Sequence, residues 1–521
     1  MHLLAAQPGA IEDGADAVDL GQSPGDIVLL SAADTELACF AQAHGQLGAG
    51  APTLRLANLM QLGHNHSVDR YADQVIAGAR LVIVRLLGGE SYWPYGVERL
   101  TAVCEARGIP IAWLPGDDKP DAGLATRSTL SRQAAETLWR YCTHGGIENA
   151  REALRFAATL IGRDATCQPP RPVPRAGLYW PGEGMLDLDA LTPHWRDGTP
   201  RACVVFYRAL LQGGSLGPVD ALVAALRDAG LDPLPVFVTS LRDAPAAELI
   251  GTLMRAAEPA IVLNATGFAV SRPGAPKETP FAEAGVPVLQ AIFAGATERQ
   301  WADATRGLSP RDIAMNVALP EVDGRILTRA VAFKTEARFD AATQAPIVVS
   351  EASAERCRFV AALAAAWVRL ARAAPAERRI ALVLANYPNR DGRIGNGVGL
   401  DTPASTAGIM AALATAGYRV ESPPADGAAL MARLQAGPTN AADSRGKPSG
   451  ATLPLANYER FLAALPETVQ ATVAERWGDP QADPFFRPDA ASFALPAVRF
   501  GNIVVAIQPA RGYNIDPEKS Y

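Results

Sequence analysis

The stretch ACVVFYRALLQGGSLGPVDALVAALRDAGLDPLPVFV, Ala202–Val238, decides how the chain folds. An unbroken apolar segment leads through a glycine-bearing loop into an amphipathic pattern. Ala229-Gly230 closes that pattern, and a second apolar segment follows. Continuous apolar strands suit a parallel sheet covered on both faces. A glycine after a helix suits a left-handed cap, and strand–helix–strand makes a right-handed βαβ unit.

The same order recurs twice. Ala79–Gly116 reads ARLVIVRLLGGESYWPYGVERLTAVCEARGIPIAWLPG, and Ile380–Ser422 reads IALVLANYPNRDGRIGNGVGLDTPASTAGIMAALATAGYRVES. The middle copy continues into PAIVLNATGF and VPVLQAIFA, two further buried strands. The predicted fold is therefore α/β and multidomain, with flavodoxin-like doubly wound parallel sheets built from βαβ repeats. The proline-dense TCQPPRPVPRAG (Thr166–Gly177) and ARAAPAERR (Ala371–Arg379) mark connectors. They divide the chain into an α/β head (1–168), a flavodoxin-like domain (169–374) and the start of a third α/β domain (375–521). Within the third, GPTNAADSRGKPSGAT reads as a mobile loop.

The chain has 521 residues, 49% of them hydrophobic and 20% charged, and a net charge of −6. That balance supports large cores and gives no global attraction for nucleic acid or an anionic membrane. No stretch approaches the ~18 apolar residues of a membrane span. The N-terminus lacks the basic and apolar regions of a signal peptide. The six cysteines are scattered without a C-x-x-C, as expected of thiols in a reducing cytoplasm.

In doubly wound sheets, ligands sit beyond the carboxyl ends of the strands. The loops there carry Arg85, Gly88, Gly89, Tyr92 and Tyr95; then Arg208, Gln212, Gly213 and Gly214; then Asn386, Tyr387, Arg390, Arg393 and Asn396. This basic, aromatic and amide composition fits a flat ligand bearing carboxylates or amides. Tight turns alone would also explain the glycines. The third loop is no phosphate cradle: no lysine follows its glycines, and Gly392, Gly395, Gly397 and Gly399 do not match G-x-G-x-x-G. Asp401 or Thr402 is placed to cap the next helix, with Pro403 in its first turn.

His64 and His66 stand two apart on a loop ahead of a helix, with Ser67 as the expected cap. They are candidate metal contacts, with Asp69 or Glu90 as a possible third ligand. A capping turn with exposed imidazoles is the simpler reading. No histidine follows His194. Gly145 or Gly146 is expected to stop a helix, and Glu321 and Asp323 read as turn residues before Gly324.

Several segments are longer and more distinctive. LANYPNRDGRIGNGVGLDTPAS (384–405), SPRDIAMNVALPEVDGRI (309–326), RWGDPQADPFFRP (476–488) and RFGNIVVAIQPARGYNIDP (499–517) resemble signature segments of the cobaltochelatase large-subunit (CobN) family. LGHNHSVDRY (62–71) and VIVRLLGGESYWPYGVE (82–98) are similar to its N-terminal part. This family is related to the porphyrin-binding H subunit of magnesium chelatase.

The resemblance implies a subunit that holds the corrin hydrogenobyrinic acid a,c-diamide while Co²⁺ is inserted in aerobic cobalamin synthesis. ATP, with its Mg²⁺, is implied to be hydrolysed by an AAA+ ATPase subunit that acts with a companion subunit. Arg85, Tyr92, Asn386, Arg393, Asn396, Gln508 and Arg511 are the expected corrin contacts, since Arg grips carboxylates bidentately. Family members exceed twice this length, so an N-terminal portion is expected, inactive alone, with the catalytic residues beyond Tyr521. The alternatives are a magnesium-chelatase-like porphyrin binder and a non-catalytic tetrapyrrole-binding or docking protein.

Overall fold

The computed structural model describes residues 17–48, 50–272, 274–275, 278–335, 337–386 and 394–509. The chain forms two compact units, Met1–Val368 and Arg369–Tyr521. No helix among the described residues is long and apolar enough to cross a membrane.

Among the described residues the first unit holds two large sheets and a two-stranded hairpin. Strands β1 (Ile27–Ser31), β2 (Leu54–Asn58), β3 (Leu81–Leu86) and β4 (Ile111–Pro115) are all parallel, in the order β2-β1-β3-β4. Every residue of β1 and β3 is buried. Two separate cores explain this. Val68, Tyr71, Val97, Leu100 and Cys104, from helices Asn65–Gln74 and Pro94–Arg107, form one. Leu37, Phe40, Leu138 and Leu154, from helices Asp34–Gly45, Arg132–His144 and Ile147–Leu160, belong to the other. Helices on both faces are what an all-parallel sheet requires.

The second sheet comprises β5 (Ala176–Trp180), β6 (Gly184–Leu186), β7 (Arg201–Tyr207), β8 (Asp232–Val238), β9 (Ile261–Asn264), β10 (Val288–Thr297), β11 (Ile326–Lys334) and β14 (Ser350–Ala352). Its order is β14-β11-β10-β9-β7-β8-β5-β6. The parallel core β8-β7-β9-β10-β11 has the flavodoxin order, with antiparallel strands added at the margins. β8 tolerates Pro233 and Pro235 because β5 pairs only with Val236–Val238. The hairpin β12 (Arg338–Asp340) and β13 (Ala345–Ile347) reaches the first sheet, where Leu56 N–H donates to the Thr343 carbonyl at 3.3 Å.

The second unit is smaller. β15 (Ile380–Leu384) is followed by a two-stranded turn, β16 (Asn396–Gly397) and β17 (Leu400–Asp401). β18 (Thr452–Pro454), β19 (Phe486–Arg487) and β20 (Ser492–Ala494) form a small antiparallel sheet. β21 (Ala497–Phe500) and β22 (Ile503–Ile507) complete a three-stranded sheet ordered β15-β22-β21. Asp401 caps helix Thr402–Thr415 through the Ala404 N–H at 3.0 Å, with Pro403 in the first turn as expected.

Two expectations fail in this unit. The third repeat does not close: Tyr418–Ser422 forms no strand, and β15 instead pairs in parallel with β22. The polar stretch after Gly437 is anchored, not loose. Thr439 and Ser444 are fully buried, and the Ser444 hydroxyl accepts from Thr439 N–H at 2.9 Å.

Candidate functional site

At the carboxyl ends of the first sheet, Arg85 is buried at the switch between β1 and β3. Its Nε donates to Glu36 at 3.0 Å, and its Nη atoms donate to the carbonyls of Pro115 and Gly116. Ser31 Oγ donates to the other Glu36 oxygen at 2.6 Å. Burial opposes the charge on Arg85, but Glu36 outweighs it and raises the pKa. Every guanidinium nitrogen thus has a protein partner, and Arg85 locks the β3 and β4 ends together instead of facing a ligand. The Tyr92 ring lies in the apolar core, with its hydroxyl against Met60 Sδ at 3.6 Å. Arg85 and Tyr92, both expected as corrin contacts, thus have protein partners of their own.

The histidine pair also resolves into local structure. The helix begins at Asn65, and His64, not Ser67, is its cap: Nδ1 accepts from His66 N–H at 3.1 Å. Ser67 is buried and accepts from Val18 N–H at 2.7 Å. The suggested third ligands have cationic partners of their own. Asp69 accepts from Tyr95 Oη and from Arg99 Nε at 2.9 Å, and Glu90 pairs with Arg127 at 2.7 Å. Among the described residues no group of three His, Cys, Asp or Glu is placed to hold a metal ion.

The loop after β7 is a packing junction. A Cβ on Gly213 would stand 2.8 Å from Thr35 Cβ, and one on Gly145 would stand 2.7 Å from Gln212 Cβ. Gly145 does end its helix, with φ 65°. Gln212 Nε2 donates to the Thr143 carbonyl at 2.6 Å, so these glycines let two helical layers meet. Arg208 donates to the Val173 carbonyl at 2.7 Å, and burial lowers its pKa.

A polar network absent from the sequence reading joins the loop after β9 to β10 and to the segment just before β11. The Asp323 side chain is fully buried and accepts from the N–H groups of Val270 (2.8 Å) and Ser271 (2.9 Å) and from Arg325 Nη2 (2.8 Å). Burial disfavours its charge, yet the Ser271 and Val270 N–H groups and Arg325 hold its carboxyl below the usual range. Arg325 Nη1 also donates to the Thr266 carbonyl and to Gln290 Oε1, at 3.1 and 3.2 Å. Asp323 is thus a clamp on the loop after β9, more than a turn residue. The signal for it was polar residues directly after an apolar strand, in VLNATG.

In the second unit, β15 and β22 run parallel, with Leu384 opposite Ile507. Asn386 and Gln508 therefore leave the same sheet end. Gln508 N–H donates to the Leu384 carbonyl at 2.8 Å, and Asn440 Nδ2 donates to the Gln508 carbonyl at 2.9 Å. Asn386 is 3% exposed, yet among the described residues neither its Oδ1 nor its Nδ2 has a hydrogen-bond partner. A buried amide with both groups unsatisfied costs several kcal/mol, on the order of 1–3 for each group. Asn396 is exposed on the β16–β17 turn. Arg393 and Arg511 lie outside the described residues.

Two largely parallel sheets and a third, smaller one define a multidomain α/β protein. The comparisons specify it further. The CobN/Magnesium Chelatase family model matches residues 139–521. The chain belongs to that family. It is 50% identical to the "Aerobic cobaltochelatase subunit CobN" of Sinorhizobium sp, over 100% of this chain and 41% of that protein. It is 42% identical to the protein of the same name from Pseudomonas aeruginosa, over 100% of this chain and 42% of that one. The solved catalytic subunit of cobaltochelatase from Mycobacterium tuberculosis superposes with a TM-score of 0.71 and 30% identity, covering 94% of this chain and 39% of that one. The chain thus spans about two fifths of the length of these relatives.

Proposed function

We propose that this chain is the macrocycle-holding portion of an aerobic cobaltochelatase large subunit. In this reading the assembled enzyme inserts Co²⁺ into hydrogenobyrinic acid a,c-diamide in the cytoplasm. An AAA+ ATPase subunit and its companion hydrolyse MgATP and drive the insertion. The reaction must strip water from Co²⁺ and remove two pyrrole-type protons, which calls for a base near the macrocycle. This chain contributes binding and orientation; the proton acceptor belongs to the remainder of the enzyme, and the chain alone is inactive.

The observation that carries the reading is the Asn386 amide, buried and without a partner among the described residues, at the shared end of β15 and β22. A corrin edge bearing carboxamides and carboxylates offers both a donor and an acceptor to such a group, and a nearly dry setting makes each bond count. The Gln508 side chain and Asn396 are the neighbouring amides assigned to the same ligand. Arg393 and Arg511 are assigned to its carboxylates.

Absorbance titration with hydrogenobyrinic acid a,c-diamide tests this. The chain is expected to give a saturable spectral change, and Asn386→Ala to weaken binding about tenfold, the loss of roughly one buried hydrogen bond. A response to protoporphyrin alone would favour the magnesium-chelatase-like alternative. Absence of any response would leave only a docking role and overturn the proposal.

A further inference from the structure

The three-stranded sheet β15-β22-β21 of the second unit has one covered face and another that is open at its β15 side, where Ala497 of β21 is buried but Ala381 and Val383 of β15 are not. Ile380, Leu382 and Leu384 of β15 lie with Ile503, Val505 and Ile507 of β22 against Met410, Leu430 and Leu434. The alternate residues face the other way. Val383 is 61% exposed and Ala381 is exposed, while Val504 and Ala506, opposite them in register, are half-buried. β15 is also an edge strand, bonded to β22 on one side and to no strand on the other among the described residues. It carries no proline, lysine or bulge of the kind that protects an edge.

Both edges of the first sheet, by contrast, are covered. The outer side of β2 receives the Thr343 carbonyl, with Ala345 buried in the neighbouring core. The outer side of β4 is taken by Ser128 and Thr129, whose hydroxyls accept from Trp113 N–H (2.8 Å) and Ile111 N–H (2.9 Å). β15 stands out against that practice.

We infer that β15 is a docking edge for a polypeptide segment corresponding to the part of the relatives that this chain does not span. That segment adds an apolar strand to β15 and lays an apolar helix over Val383 and Ala506. Its size argues for this occupant: relatives of 50% and 42% identity have more than half their length outside the match. Strand addition supplies backbone hydrogen bonds, and the open face supplies apolar area. The inference rests on family membership and on the sheet, not on macrocycle binding, so its test needs no ligand.

The test is co-expression of this chain, tagged, with the unmatched portion of the Sinorhizobium protein, followed by purification and light scattering. The expected result is a one-to-one complex, retained by Val383→Leu and weakened at least about tenfold by Val383→Asp, a charge at the centre of an apolar contact. Phe461→Glu, on the exposed face of helix Leu455–Ala463, is expected to leave the complex intact. No complex with the unaltered chain, a complex indifferent to Val383→Asp but lost in Phe461→Glu, or a homodimer broken by Val383→Asp would each overturn the inference.

Discussion

β7 and β15 begin the same motif with similar apolar runs, RACVVFY and IALVL, and end in opposite surroundings. β7 lies between β8 and β9. Ala202 to Phe206 are fully buried among residues of helices Gly217–Asp228, Ala244–Ala257 and Ala354–Arg372. β15 alternates between half-buried and exposed positions on an edge, with only its last residue, Leu384, buried. The residues alone do not separate the two strands. What differs is the number of helices and strands that the rest of the unit brings to them.

The contrast is broken most severely by charge. Val205→Asp in β7 places an unpaired carboxylate in a dry core and is expected to cost more than ~4 kcal/mol, enough to unfold the first unit. Val383→Asp in β15 is expected to cost under ~0.5 kcal/mol. Urea denaturation followed by circular dichroism measures both; equal losses would refute the difference.

Next in size is the Asp323–Arg325 pair. Asp323→Ala leaves Arg325 buried without its partner and is expected to cost about 3–5 kcal/mol. The folded carboxyl titrates below its ordinary value of 3.8, so its stabilisation is fully present above that value. It is lost as the pH falls from about 4 through the lower folded pKa. An acid titration should show this loss in the native chain and not in Asp323→Asn. Arg419–Glu421 in the second unit is more than half exposed on both sides, and Arg419→Ala should change stability by less than ~1 kcal/mol.

The smallest effect is kinetic. All six cysteines lie in the first unit; five are buried and Cys167 is half-buried. Burial pushes the Cys39 and Cys142 thiols up to about 12. A thiol reagent at neutral pH should therefore modify Cys167 quickly and the other five only on unfolding. Fast modification of Cys203, beside Val204 in β7, would mean that the covered sheet opens readily.

Much of the fold was legible because strands buried on both faces must be apolar through their centres, as CVVF and LVIV are. The strand expected at Tyr418–Ser422 does not form, although its apolar residues, Tyr418 and Val420, alternate with Arg419 and Glu421 as in a half-buried strand. β21 takes a place beside β22 instead, through a tight turn with Gly501 at φ 67°. The candidate site was less legible. Arg85 stands where a ligand arginine would, but Glu36, 49 positions away, folds onto it. Asp323 clamps a loop more than 50 positions away, a partnership no local pattern announces. Asn386 was legible as a polar group after a strand, though its lack of partners is visible only in three dimensions.

The most direct test of the contrast is hydrogen exchange of β7 and β15 in the isolated chain, followed by mass spectrometry. The account predicts that β15 amides exchange at least about a hundredfold faster than those of β7 and slow down when the unmatched portion of the Sinorhizobium protein is present. Equal protection of the two strands in the isolated chain would contradict it.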